Sequence, residues 1–294
     1  MVIKFNFLYK LTRNIKTKAY KLTIFEITLY GMLVAIFIIA NLIETYLFRK
    51  SYRISLTYFV FILFGLCLGA LKGAFLAILC DTFLMIIKHG GMGWMLEYAI
   101  VPPAIAVMSS LIMFYFKGKS SKSWYIGFLI LAFITTIAIF MITQEYQKIK
   151  WEKGSKNVKV PLSLVVAVVS TSFTLIWIYS LITFFIFKFS RVSYFIKMKL
   201  HSIFDILIMI FIVIIITRWL WGPFAFINYY NTWIVPEGRK PKDYKLWFLV
   251  YMIPIVFKSL IEIPFYSLLT YSLLPIIRII KNKIYFYSSR EYTF

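Results

Sequence analysis

Trp94, Glu97 and Tyr98 stand at i, i+3 and i+4 in the stretch GGMGWMLEYAIVPP, residues 90–103. On a helix that spacing puts an indole, a carboxylate and a phenol on one face. Together they can stack on a flat ring and exchange hydrogen bonds with its polar edge. Small-molecule sites are built this way, from a few convergent polar groups in apolar surroundings. Lys88 and His89 come just before, and His89 is a candidate contact to the same ligand. The competing reading is an aromatic belt at the membrane interface with a solvated Glu97.

A second aromatic run, RWLWGPFAFINYYNTW at 218–233, is expected on the same outer side. Arg218, Trp221 and Asn228 are its candidate ligand contacts, with Trp219 and Tyr229 beside them. It would form the opposite wall of the site. Its plainer reading is an interfacial loop broken by Gly222 and Pro223.

Ionisable groups inside apolar spans are costly and therefore functional candidates. Here they are Glu26, Glu44, Asp81, Glu97, Asp205, Arg218, Lys258 and Glu262. Glu26, Glu44 and Asp205 lie near span ends, where headgroups can solvate them. Arg218 is placed to snorkel to the outer interface. Lys258 and Glu262, four apart, can neutralise each other on one helix face. Asp81 ends a ladder of small residues, Gly65, Gly69, Gly73 and Ala77. That ladder is either one stripe on a continuous helix or the close seam of a helix–turn–helix. Gly31 and Ala35 make another smooth face, suited to docking a membrane helix.

The elements carrying these residues are membrane spans. The 294-residue chain is 62% hydrophobic and 20% aromatic, with only 15% charged residues. Soluble domains carry about a quarter charged residues. The net charge of +22 flanks apolar runs rather than covering a soluble face, which argues for lipid headgroups and against nucleic acid. A span needs roughly 20 apolar residues. Candidates are 22–48, 95–116, 124–143, 161–187, 203–222 and 246–277, and 55–88 divides into two near Lys72–Gly73. The expected fold is an all-α, polytopic transmembrane helix bundle of about eight spans.

Segments 1–21, 117–123, 188–201 and 278–294 carry more Lys and Arg than the intervening loops, which places both termini in the cytoplasm. Lysine outnumbers arginine, and Ile and Phe abound, the composition of an AT-rich bacterial genome. The first apolar run is a retained span rather than a cleaved signal. Cys67 and Cys80 read as small buried hydrophobes. There is no Walker A motif, dinucleotide fingerprint or Cys/His array, so no cofactor or metal is expected. An intramembrane enzyme would need converging His and carboxylates, yet His89 and His201 fall on loops of opposite predicted sidedness. A secondary transporter would show inverted repeats and charged pairs at mid-membrane.

The run YRISLTYFVFILFGLCLGALKGAFLAILCDTFLMIIKHGGMGWMLEYAIVPPAIAVMSSLI, 52–112, resembles the substrate-binding S component of energy-coupling-factor (ECF) vitamin transporters. The C-terminal VFKSLIEIPFYSLLTYSLLPIIRII is similar to that family's last helix, with Lys258 then Pro264. Arg53–Ser55 and the Asp81 helix look like the folate-specific members. MLEYAIVPP looks like the thiamine-specific ones, with Glu97 and Tyr98 as the vitamin-contacting pair. The resemblance implies a six-helix core, 22–116 and 203–280, interrupted by an inserted helix pair within 117–202. Residues 1–21 and 281–294 would be cytoplasmic flanks. It further implies a vitamin ligand, with Arg53, Asp81 and Lys258 among its contacts. The implied partners are a transmembrane coupling subunit, docked at Gly31 and Ala35, and two ATP-binding-cassette ATPases.

Overall fold

The computed structural model describes residues 22–46, 55–90, 94–116, 120–146, 162–189, 193–235 and 241–289. Among these, all regular structure is helical. Among the described residues, five helical segments are long and apolar enough to cross a membrane: Ile24–Tyr46, Ala70–Lys88, Leu96–Phe116, Phe195–Ile234 and Pro254–Phe286. Shorter apolar stretches, Leu56–Leu68, Trp124–Ile137 and Phe173–Phe189, fall where the remaining spans are expected. The protein is an all-α, polytopic membrane helix bundle. The described residues form two compact units, one from those within 1–90, 99–110 and 272–294, the other from those within 91–98 and 111–271.

In the first unit, α1 (Ile24–Tyr46), α2 (Leu56–Leu68) and α3 (Ala70–His89) pack together. The α2 segment is apolar all round and buried from Phe59 to Leu68, as a helix without a polar face must be. Phe37, Phe61 and Phe64 meet with ring centroids 5.4–6.4 Å apart.

The glycine ladder is a helix–turn–helix, and the break falls at Gly69, three residues before the expected cut. Gly69 has φ +88°, a backbone that only glycine adopts easily. Lys72 and Gly73 instead lie inside α3. A Cβ on Gly73 would sit 2.7 Å from the Phe64 carbonyl oxygen. One on Gly65 would strike the Ala106 carbonyl and the Ser109 hydroxyl. One glycine turns the chain and its two neighbours let backbones touch.

Two polar clasps hold α1 and α3 parallel. At one end Lys72 pairs with Glu26 at 2.5 Å. At the other, the Lys88 amine donates to Asn41 Oδ1 at 2.8 Å and to Thr45 Oγ1 at 3.3 Å. The separations of 46 and 47 residues match, as a fixed register requires. Glu26 does not face headgroups: it is buried and also closes a capping box. Thr23 N–H donates to Glu26 Oε2 at 2.9 Å, and Glu26 N–H donates to Thr23 Oγ1 at 3.2 Å. Those bonds satisfy donors that the first helical turn leaves without a partner. Glu44 accepts from Thr57 Oγ1 at 3.0 Å, tying the end of α1 to the start of α2. Cys67 and Cys80 are free and buried.

The second unit contains α6 (Ser120–Tyr146), α7 (Leu162–Phe189) and α8 (Tyr194–Ile214). Trp124, Leu131, Phe204, Leu207 and Ile208 form its core with Phe116. Trp124 stacks on Phe204 at 4.2 Å. Gly127 admits the Phe204 ring, since a Cβ there would lie 2.6 Å from it. His201 lies inside α8 rather than on a loop, 3.4 Å from the buried Asp205 one turn on.

The α8 helix does not end at 222. It continues through π-helical turns at Ile215–Leu220, then α9 (Trp221–Tyr229), then π turns at Tyr230–Ile234. Gly222 and Pro223 therefore sit within a helix and make no loop. A proline lacks the N–H that an α-helix needs and crowds the preceding turn. The wider π turn just before it relieves both conflicts. The last helix, α10, runs Tyr244–Ser289.

Candidate functional site

Glu97 lies in a single helical turn, α4 (Leu96–Ala99), ahead of α5 (Val101–Phe116). Trp94 precedes that turn and is 45% exposed. The helical period starts only at Leu96, so Trp94 does not share a helix face with Glu97 and Tyr98. Glu97 and Tyr98 meet α9 instead.

Trp221 and Asn228 are seven residues apart, close to two full helical turns, so they project from one side of α9. Both reach Glu97. The Trp221 indole donates to the Glu97 main-chain carbonyl at 2.7 Å. The Asn228 amide donates to Glu97 Oε1 at 2.8 Å. Asn228 Oδ1 in turn accepts from the Tyr244 hydroxyl. Tyr98 meets Tyr229 edge to face at 5.9 Å, and Phe224 stacks on Tyr244 at 5.7 Å.

The result is a relay, Tyr244 to Asn228 to a half-buried carboxylate, rimmed by rings. It can align an acceptor carboxylate against a donor-bearing ligand while Tyr98, which is 38% exposed, offers a ring face or edge. Tyr244 was missed in the sequence. Its signal was faint, an aromatic in a polar loop with no spacing that ties it to Asn228.

Lys242, two residues before Tyr244, is pinned twice. Its main chain exchanges bonds with the Asn231 side chain at 2.8 and 3.0 Å. Its amine sits over Tyr230, Trp247 and Tyr251, 3.5, 4.7 and 4.8 Å from the ring centroids. Burial holds that amine below the ordinary lysine range, with Tyr230 acting in the opposite direction. The clasp fixes the start of α10, and with it the Tyr244 hydroxyl.

Deeper along the same helices, Arg218 does not snorkel. Its Nη1 donates to Glu262 Oε2, and both residues are buried. Lys258 Nζ lies 3.5 Å from Glu262 Oε1, the expected partnership between residues four apart. The nearby Trp219 indole donates to Ser259 Oγ at 3.0 Å. Glu262 draws the guanidinium inward, because a buried carboxylate without a partner would cost several kcal/mol. This hub role had a local signal in the sequence only for Lys258.

Other expected contacts lie elsewhere. Asp81 is on α3, partly buried. His89 is the last residue of α3, and its side chain lies outside the described residues, as does Arg53 altogether. Gly31 and Ala35 are exposed on α1. A Cβ on Gly31 would meet nothing within 4 Å. Among the described residues, no group of three or more His, Cys, Asp or Glu side chains could hold a metal ion.

Compared with known proteins, the chain matches no family model, no curated protein and no solved structure.

Proposed function

We propose that the protein is a membrane-embedded substrate-capture subunit, binding a vitamin from outside for ATP-driven uptake of the ECF type. The observation that carries this reading is the Glu97–Asn228–Tyr244 relay with its rim of Tyr98, Tyr229 and Trp221. It joins chain segments more than a hundred residues apart in one group of donors, acceptors and rings. The vitamin is folate-like or thiamine-like, as the resemblance implies. Trp94, His89, Asp81 and Arg53 are further proposed contacts. A coupling subunit docked on the Gly31–Ala35 face and two ATP-binding-cassette ATPases would supply the movement.

A self-sufficient secondary permease is the second reading, favoured by the buried Arg218–Glu262–Lys258 cluster. Buried charges inside spans are typical of ion-coupled pathways. Uptake in proteoliposomes separates the two. The capture reading predicts binding of labelled folate or thiamine by the protein alone. It also predicts transport only when the coupling subunit and ATPases are added with ATP. Uptake driven by an ion gradient in liposomes holding this chain alone would instead establish the permease.

A further inference from the structure

We propose that Tyr230, Trp247 and Tyr251 form an aromatic cage for an organic cation of the quaternary-ammonium class, in which the Lys242 amine is a built-in, displaceable occupant. Tyr230 comes from the π turn Tyr230–Ile234. Trp247 and Tyr251 stand four apart on α10, so they share one helix face. Their rings stack, with centroids 5.9 Å apart and planes 25° from parallel. The Lys242 amine lies 3.5, 4.7 and 4.8 Å from the centroids of Tyr230, Trp247 and Tyr251. All three fall within the roughly 6 Å over which a ring face attracts a cation. None of the ion pairs among the described residues involves Lys242. Rings thus stand where a carboxylate ordinarily balances a lysine.

The structure also shows why this occupant can be exchanged. Lys242 and the three rings are each half-buried, so part of every wall stays accessible. The Lys242 main chain is anchored separately, through its two bonds to the Asn231 side chain. The flexible stem can therefore swing out while the chain stays in place. A primary ammonium is strongly hydrated and carries three N–H donors, and the Tyr251 hydroxyl accepts from this one. Entering the cage costs it hydration, and burial accordingly disfavours its charged form. A cation with methyl groups in place of N–H donors has no such bonds to give up. It gains the same ring faces, which is how aromatic cages recognise quaternary ammonium groups.

The cation can belong to a free solute or to a lipid headgroup. None of Glu97, Asn228 and Tyr244 lines the cage, so the proposal does not depend on a vitamin binding at Glu97. The test uses the full chain purified in a nonionic detergent. Its thermal midpoint is followed against tetramethylammonium chloride, choline chloride and phosphatidylcholine in mixed micelles, with sodium chloride matching ionic strength. The expected result is saturable stabilisation by at least one probe beyond sodium chloride. Lys242→Ala empties the cage, so its half-effect concentration should fall several-fold below that of the wild type. Trp247→Leu keeps apolar bulk while removing a ring face, and should raise that concentration about tenfold.

Stabilisation by tetramethylammonium or choline identifies a solute site, and stabilisation by phosphatidylcholine alone identifies a headgroup site. No stabilisation by any probe, in wild type and Lys242→Ala alike, overturns the proposal. So does a half-effect concentration that is unchanged in either variant. If Trp247→Leu does not fold, Tyr230→Leu serves in its place, and an unchanged titration there overturns it equally.

Discussion

Lys72 and Glu26 pair at 2.5 Å across 46 residues, in side chains only 17% and 2% exposed. This ion pair and the capping box at the same carboxylate fix where α1 begins and how α3 lies beside it. Removing the lysine strands a buried charge, which costs about 3–5 kcal/mol. Lys72→Ala should lower the unfolding midpoint in detergent sharply, and adding Glu26→Gln should restore much of the loss. Equal losses in single and double variants would show that the pair does not carry the contact.

The glycines of the α2–α3 hairpin should respond differently from Gly31. Gly65→Ala forces a methyl into the Ala106 backbone, an overpacking cost of about 1–3 kcal/mol. Gly69→Ala strains a φ of +88°, again about 1–3 kcal/mol. Gly31→Ala, with open space around it, should change stability by under about 0.5 kcal/mol. Thermal melts of the three variants check the order. If Gly31 docks a partner helix, its variant should weaken co-purification of that partner without altering the melt.

The spans, the Gly-punctuated hairpin and the Lys258–Glu262 pair were legible because each is a local pattern of period, small residues or i, i+4 spacing. Glu26 was misjudged as facing headgroups because it lies near a span end, and its capping-box spacing to Thr23 went unread. The position of the hairpin break was not legible, since Gly69 and Gly73 are alike until one must take positive φ. The α8–α9 continuity was hidden because proline and glycine adjacent in sequence normally signal a loop, and the compensating π turn has no sequence mark. Arg218–Glu262 and Asn228–Glu97 join residues 44 and 131 apart, distances over which a single sequence carries no spacing rule.

Lys242 gives a pH signature. Burial lowers its folded pKa below the ordinary lysine value. Its contribution to stability is therefore present above the unfolded pKa and lost as pH falls through the folded one. Between those two values stability should climb with pH, and Lys242→Met should flatten that climb. Melts across the alkaline range check this, and an identical slope in the variant would contradict it. Because Lys242 also sets Tyr244, the variant should weaken ligand retention through a loosened relay.

Within the relay, Tyr244→Phe keeps the ring stacked on Phe224 while deleting the bond to Asn228. A neutral hydrogen bond is worth about 0.5–1.5 kcal/mol, so ligand affinity should fall only several-fold. Asn228→Asp sets a second carboxylate against Glu97 and should abolish binding at neutral pH. Direct titration of labelled ligand into each variant distinguishes these outcomes, and equal effects would remove Asn228 from the centre of the relay.

The most direct measurement is retention of labelled folate and thiamine by the purified wild-type protein and by Glu97→Ala. A capture subunit built on Glu97 predicts that the wild type alone holds one of the two. The variant, still folded by its melt, should lose at least about tenfold in affinity, since a hydrogen bond to a charged group is worth about 1.5–3 kcal/mol. Retention of neither vitamin by the wild type, or equal retention by a folded Glu97→Ala, would contradict it.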